Sequence, residues 1–333
     1  VPAPGSVLYA GALGALAFVF ACLAALLAQV ALHARGVYAG GLILLSVAYV
    51  LRGVGDVTTA GWLAWLSPLG WAEKAAPFGA QRWWMLGVPV VVGLVLAATA
   101  TSLASSRDLG SALARGGVGP ERAGRRLRSA WGLAARIHRP AFVGWLAGGL
   151  LLNGMMGALA QQMLDAVIGN AAMAEAMGIG GANPLDGFTA ITQLYLAVVA
   201  TGYVVQAIGT LRTEEAEGRV ETRLAGTLSR TRWLLAHGAV VLVGLVVIVV
   251  ASSAALALGS RWSAGAGVDS SVIMGAGLAY LPAELVLAGL ALALYGLRPR
   301  AFGLAWAAYA LVTFVAFLGP GLALDPVSYT HLT

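Results

Sequence analysis

The sequence contains very little charge. Only 10% of its 333 residues are Asp, Glu, Lys or Arg, and 59% are hydrophobic, whereas a soluble domain carries about 25% charged residues. A water-soluble globular protein is therefore excluded. The net charge of +6 does not indicate nucleic-acid binding, because so few basic groups among so many apolar residues cannot form a phosphate-binding face.

Cysteine, lysine and histidine are also scarce. The one cysteine, Cys22, lies in an apolar run, which excludes an internal disulfide or a cysteine metal cluster. The one lysine is Lys74, and the sequence has no Gly-x-x-x-x-Gly-Lys-Ser/Thr phosphate loop. The four histidines are scattered, without His-Glu-x-x-His. We therefore expect no catalytic residue, metal site or cofactor in this chain.

Long apolar runs make up most of the sequence. A bilayer core about 30 Å thick requires roughly 20 apolar residues per helix, so these runs predict an all-α, polytopic membrane bundle. The second run is short, because its 15 residues reach only about 22 Å. It would span the bilayer if it began nearer Arg35 or if the bilayer were locally thinner. Eight spans are predicted, at residues 8–32, 37–51, 86–103, 141–163, 188–211, 234–258, 272–297 and 301–318.

Basic residues are distributed unevenly between the predicted loops. One alternate set of loops contains 16 Lys and Arg residues and the opposite set contains 4. Cytoplasmic loops retain the excess of positive charge. The first set is therefore predicted to be cytoplasmic, which supports eight spans and a start on the outer side.

Residues 105–139 are the predicted cytoplasmic connector between residues 1–104 and 140–327. Between Leu127 and Ile137, apolar residues fall on one side of a helix and arginines on the other. This pattern predicts an interfacial elbow helix on the membrane surface, and a solvated basic linker is the alternative.

Half of the 10 tryptophans lie in the external loop at residues 52–84. Indole rings prefer the headgroup region, so we expect one or two short helices at the outer interface. An ordinary aromatic belt at the ends of the spans is the alternative. Small residues at 144–149 and 154–157 predict close packing between helices.

The cytoplasmic loop at residues 212–233 is the only dense cluster of mixed charge. Thr213 can cap a helix whose first turn carries Glu214, Glu215 and Glu217, near the positive end of the helix dipole. The loop is thus predicted to contain a short charged helix. A solvated hairpin with routine ion pairs is the alternative.

Two further features are expected in this loop. Glu215 and Arg219 are four residues apart and can pair on one face of the helix. Ser229 can start a second helix, which leads into the next span.

Several polar side chains lie within the predicted spans. Glu284, close to Pro282, is an ionisable residue within a predicted span, where burying a charge is energetically costly. Such a residue is by default a candidate functional residue. It could contact a cationic or polar part of a substrate, and a protonated or hydrogen-bonded structural Glu is the alternative. Polar groups can line a path or join membrane helices. The other candidates for the substrate path are Asn153, Gln161, Gln193 and Gln206.

The charged loop resembles the coupling region of ABC-2 type permeases of ATP-binding cassette exporters, especially actinobacterial exporters of polyketide antibiotics related to tetronasin resistance. Weaker similarity extends over most of the chain, including residues 131–140 and 298–300. The residues that carry the resemblance are Glu214, Glu215, Gly218, Arg219, Glu221, Leu224, Ala225, Ser229, Arg230, Thr231, Arg232 and Trp233.

The resemblance implies a permease subunit in the bacterial plasma membrane, in contact with membrane lipids. It would form the path for hydrophobic or amphipathic compounds, as in polyketide antibiotic or multidrug efflux. Separate cassette ATPase subunits would bind ATP and contact a coupling helix at residues 212–232. The implied contacts involve Glu214, Glu215, Glu217, Gly218, Arg219, Glu221, Ser229 and Arg230.

Family members have two six-span halves, so residues 1–104 would be the end of the first half and 140–327 an incomplete second half. The polar residues 328–333 depart from the family pattern and are interpreted as a cloning or sequencing scar. The competing interpretation is an ion-coupled secondary transporter that uses Glu284.

Overall fold

All regular elements in the computed structural model are helices, and the described residues contain no strand. The all-α prediction is therefore confirmed. The chain divides into two compact units, Val1–Pro120 and Glu121–Thr333. The predicted scar and most of the predicted connector lie outside the described residues. The structure describes residues 3–31, 34–57, 61–106, 124, 127, 129–169, 184–226, 228–265 and 267–318.

The first unit contains three long helices and a shorter segment rich in tryptophan. Its α-helices are α1 (Ala3–Val30), α2 (Ala34–Val57), α3 (Pro68–Lys74) and α4 (Gly87–Ser105), and 3-10 helices occupy Gly61–Leu66 and Trp83–Leu86.

The second unit is built around four long helices. Its α-helices are α5 (Ala130–Ala158), α6 (Ala160–Ile168), α7 (Pro184–Ala216), α8 (Arg219–Leu224), α9 (Arg230–Ala264), α10 (Ser270–Ala279), α11 (Leu281–Leu297) and α12 (Gly303–Leu318), and a 3-10 turn occupies Pro299–Ala301.

Eight helical stretches of the described chain are long and apolar enough to cross a membrane. This number and their order agree with the eight predicted spans. The second span is longer than its 15-residue apolar run, because the helix starts at Ala34 and continues to Val57. Its 24 residues reach about 36 Å, more than the bilayer core of about 30 Å.

The tryptophan-rich segment of the first unit forms short helices on the end of α2. Ser67 Oγ donates to the Ala48 carbonyl at 2.6 Å, and Trp71 Nε1 donates to the Trp65 carbonyl at 2.6 Å. Arg52 pairs with Glu73 at 2.6 Å. The expected short helices are therefore present. Four of the five indoles remain exposed, at Trp62, Trp65, Trp83 and Trp84.

In the second unit, α5 and α9 approach each other closely. A Cβ at Gly157 would lie 2.4 Å from the Leu256 carbonyl oxygen, and one at Gly259 would lie 2.6 Å from the Gly154 oxygen. Only glycine permits such an approach between backbones. Membrane helices associate through contacts of this kind because burial in lipid provides no hydrophobic driving force.

The predicted interfacial helix is not a separate element in the described part of the chain. Ser129 accepts a hydrogen bond from the Gly132 backbone N–H at 3.0 Å, and α5 then continues without a break through Pro140. Ala130 and Ala134 are buried against Ala236 of α9. Two alanines of the apolar stripe that predicted a membrane-surface helix thus pack against another helix, whereas Trp131 of the same stripe is 50% exposed. Arg125, Arg126 and Arg128 lie outside the described residues.

Two helix ends also differ from the predicted spans. The fourth span ends at Ala158 rather than at residue 163, so Gln161 lies on the separate helix α6. The seventh span is interrupted at Tyr280, between α10 and α11. Pro282 explains this break, because it has no backbone N–H to donate to the preceding turn.

Candidate functional site: a charged hairpin and a buried carboxyl group

The expected cap at Thr213 is not formed. Helix α7 continues to Ala216, so Glu214 and Glu215 belong to its last turn rather than to the first turn of a new helix. The Thr213 hydroxyl donates to the Gly209 carbonyl at 3.4 Å, within the same helix. A threonine hydroxyl can cap a new helix or donate to a carbonyl one turn back in its own helix. Here it donates within α7, which continues past Thr213.

A tight turn follows α7. Gly218 has φ of 70°, in the left-handed region, and the short helix α8 begins immediately after it. A residue with a Cβ is strained in this conformation. The chain therefore turns at Gly218, and Arg219 and Arg223 of α8 reach back to Glu214 in the last turn of α7. We refer to residues 214–224 as the charged hairpin.

Glu214 holds the hairpin together. Its Oε1 accepts from Arg219 Nε at 3.0 Å and from Nη2 at 2.6 Å, and its Oε2 accepts from Arg223 Nη1 at 2.8 Å. The hydrogen bonds that Arg219 donates to Glu214 raise the pKa of the Arg219 guanidinium above its usual value. Arg219 also pairs with Glu217. The prediction of a Glu215–Arg219 pair is wrong, because the Arg219 guanidinium donates to Glu214 instead.

The hairpin is anchored to the core of the second unit on two sides. Val220 is buried in a cluster that includes Leu211 and Trp233. The Arg223 guanidinium carbon lies 5.4 Å from the centroid of the Trp233 ring, within the range of a cation–π interaction. Movement of α8 is thus linked by direct contact to the start of α9.

The contacts continue from Trp233 into the bundle. The rings of Trp233 and His237 have centroids 3.9 Å apart, and His237 Nδ1 lies 3.0 Å from His138 Nε2 of α5. Both histidines are buried. The charged hairpin therefore connects through three aromatic side chains to the α5–α9 pair. Histidines 99 residues apart carry no local sequence signal, and this pair was not predicted.

Other predicted coupling residues lie on the outer surface of the hairpin and at the start of α9. Glu217, Glu221 and Arg230 are exposed, whereas Glu215 is partly buried. Ser229 accepts from the Arg232 backbone N–H at 3.2 Å and caps α9. The expected helix start at Ser229 is therefore confirmed. Glu217 pairs with Arg219 at the edge of the Glu214 network, whereas Glu221 and Arg230 form no salt bridge among the described residues.

Two of the predicted path residues join helices. Gln193 Nε2 donates to the Ile273 carbonyl at 2.9 Å, and its Oε1 accepts from Ser253 Oγ at 3.3 Å. Gln206 accepts from the indole N–H of Trp145. Their amide groups thus link α7 to α5, α9 and α10.

Two other predicted path residues bond locally. Asn153 is buried and donates to the Gly149 carbonyl one turn back at 3.1 Å. Gln161 donates to Asp165 at 2.8 Å on α6. The structure does not bring these four polar residues together with Glu284.

Glu284 has a different environment. It is 2% exposed, and neither of its carboxyl oxygens has a hydrogen-bond partner among the described residues. It lines a cavity of about 70 Å³ between α7, α11 and α12. The charged hairpin and the Glu284 cavity are therefore two separate features of the second unit.

Comparison with known proteins identifies the family. The family model for the C-terminal domain of the multidrug efflux system permease Rv1217c matches residues 127–330. The chain is 34% identical over 315 residues, 94% of its length, to the multidrug efflux system permease protein Rv1217c of Mycobacterium tuberculosis (strain ATCC 25618 / H37Rv), and it spans 57% of that relative. These matches confirm the resemblance to ABC-2 type efflux permeases. The chain therefore belongs to the Rv1217c family of multidrug efflux system permeases.

Proposed function

We propose that this chain is part of the transmembrane subunit of an ATP-binding cassette exporter in a bacterial plasma membrane. It would form a path for hydrophobic or amphipathic compounds, and separate ATPase subunits would bind and hydrolyse ATP. The relative's name describes multidrug efflux. The ATPase would contact the segment at residues 212–232, where the charged hairpin lies.

One observation carries this proposal. The hairpin presents Glu217 and Glu221 on its exposed face, while Val220 and Arg223 hold its inner face against the second unit. A protein bound to the exposed face could displace the hairpin as one piece. The displacement would reach α9 through Arg223 and Trp233, whose contact is direct. Such differential contacts in two states are what couple a partner to a conformational change.

The experiment uses the full-length permease, co-purified with the ATPase encoded beside it and reconstituted in lipid vesicles. ATP hydrolysis is measured with and without rhodamine 6G as an amphipathic probe. Reversing the charge in a Glu217→Lys, Glu221→Lys variant should reduce stimulated hydrolysis by about tenfold, because like charges across an interface cost affinity. Asp165→Lys, which changes an exposed carboxylate on α6, is the matched control and should retain stimulation.

Two results would contradict the proposal. One is failure of the permease to associate with any cassette ATPase. The other is full stimulation of hydrolysis by the charge-reversed hairpin with unchanged association.

The buried Glu284 favours a second candidate function, an ion-coupled secondary transporter. An unpartnered carboxyl group within a span is the kind of group that carries protons in such proteins. Export of rhodamine 6G from vesicles under an imposed proton gradient, without ATP or ATPase, would support it. Export that requires ATP and ignores the gradient would eliminate it.

A further inference from the structure

The Glu284 cavity combines an apolar wall with one acidic group. Residues of α7 such as Leu194 and Val198 form one side, and Tyr280 and Tyr309 contribute aromatic rings. Thr313 adds a hydroxyl group whose oxygen is buried and has no hydrogen-bond partner among the described residues.

The Glu284 carboxyl group lacks a cationic partner in the described chain. No Lys, Arg or His side chain there lies within ion-pair distance of it. Buried polar groups are nearly always hydrogen-bonded, and an exception calls for an explanation such as a missing ligand. Leaving a charge buried without a partner is costly. A cation entering the cavity would remove that cost.

We propose that this cavity binds the ammonium group of an amphipathic cation, with Glu284 as its counter-ion. Tyrosine rings attract cations, and Tyr280 and Tyr309 line the same cavity as Glu284. Thr313 Oγ can accept one ammonium hydrogen. The inference rests on the proposed function and names the substrate class for it.

The size of the cavity defines which part of the ligand enters. Whole drug-sized ligands occupy about 300–1,000 Å³, and this cavity measures about 70 Å³. Only the ammonium group and a short alkyl stem therefore fit beside Glu284. The bulky apolar part of the ligand remains outside the cavity, so different apolar bodies with the same cationic end are accepted.

The test measures binding of dansylcadaverine, a fluorescent primary amine, to the full-length permease. The protein is kept in dodecyl maltoside, a detergent without charge or amine. Its N-acetyl derivative is the neutral control ligand. Glu284→Gln should weaken binding of the amine by about thirtyfold or more, since removing one member of a buried charge pair has effects of this size. Glu284→Asp should restore part of the affinity. Asp165→Asn, at an exposed carboxylate, should leave it unchanged.

Two results would overturn the inference. One is equal binding of dansylcadaverine by the wild-type chain and Glu284→Gln. The other is an equal loss of the amine and of its N-acetyl derivative in Glu284→Gln, which would indicate a damaged fold rather than a missing counter-ion.

Adding phosphatidylethanolamine to the micelles distinguishes a lipid headgroup from a free amine as the source of the ammonium group. Displacement of dansylcadaverine from the wild-type chain would identify a lipid headgroup as the ligand, and no displacement would identify a free amphipathic amine. Binding in this assay needs neither nucleotide nor ATPase. A chain that binds the amine through Glu284 but stimulates no ATPase would retain this inference and lose the proposed function.

Discussion

Arg223 donates to Glu214 at 2.8 Å across the turn that follows α7. The same guanidinium lies over the ring of Trp233 at the start of α9. One side chain thus joins the end of one span, the short helix after it and the start of the next span. The contribution of these contacts to the stability of the charged hairpin can be measured without a transport assay.

Replacing Glu214 by Gln should loosen the charged hairpin. The change removes the charge that binds Arg219 and Arg223, and hydrogen bonds to charged groups contribute about 1.5–3 kcal/mol. Amide hydrogen exchange at residues 219–224 should accelerate accordingly, by about tenfold or more. Glu217→Gln, which removes only an exposed ion pair with Arg219, should change exchange by less than about threefold. Equal effects of the two variants would show that Glu214 does not hold the hairpin.

Adding a methyl group should have opposite effects on the stability of the chain at two glycines of α5. A Cβ at Gly157 would meet the Leu256 carbonyl at 2.4 Å, whereas one at Gly144 has no neighbour within 4 Å. Gly157→Ala should destabilise the chain by about 1–3 kcal/mol through overpacking. Gly144→Ala should stabilise it by up to about 1 kcal/mol, because glycine is unfavourable within a helix.

The measurement is thermal unfolding of the two variants in detergent. A higher melting temperature for Gly157→Ala than for Gly144→Ala would contradict the close crossing of α5 and α9.

His138 and His237 should contribute to stability as a pair. His138→Leu or His237→Leu alone removes the shared hydrogen bond and leaves the other buried ring without its partner, which costs about 1–3 kcal/mol. The double variant should be less destabilised than the sum of the two, with a coupling energy of about 0.5–3 kcal/mol in a double-mutant cycle. His138→Leu combined with Glu217→Gln is the additive control. Additivity of the two histidine changes would rule out the pair.

The start of α10 should respond to acid. Asp269 Oδ1 accepts from the Ser271 hydroxyl at 2.6 Å and from the Ser271 backbone N–H at 2.8 Å, and these bonds lower the pKa of Asp269. A lowered pKa means that the cap contributes fully above the usual Asp range, about pH 4, and is lost as the pH falls through the lowered value.

Amide exchange at residues 271–273 over an acid series tests this. After correction for the intrinsic pH dependence of exchange, protection should fall in acid in the wild-type chain. Asp269→Asn keeps an acceptor oxygen and does not titrate, so its protection should stay constant. The same acid response in both would contradict the assignment.

The spans were predictable from the sequence because length and hydropathy determine them directly. Ser229 was predictable as well, since its side chain caps the helix that begins next to it. Thr213 was not, because the same hydroxyl can cap a new helix or bond back within an old one. Which bond Thr213 makes depends on Gly218, whose left-handed conformation places the turn five residues after Thr213.

The Glu284 environment and the histidine pair could not be read from the sequence. The apolar run at residues 272–297 identified Glu284 as an ionisable group within a span, but only the fold shows that its carboxyl oxygens have no hydrogen-bond partner among the described residues. The apolar stripe at the start of α5 predicted a separate helix, whereas Ala130 and Ala134 of that stripe belong to α5 and pack against Ala236 of α9, because small apolar residues also allow close packing between helices.

The length of α9 has a mechanical consequence. Its 35 unbroken residues form a rod about 52 Å long, well beyond the hydrocarbon thickness of about 30 Å. Rocking such a rod by about 5° around one end would shift the other end by about 4.5 Å, nearly one helical turn. A rigid helix therefore acts as a lever, which turns a small rotation near Trp233 into a displacement at its far end without melting any hydrogen bond between them.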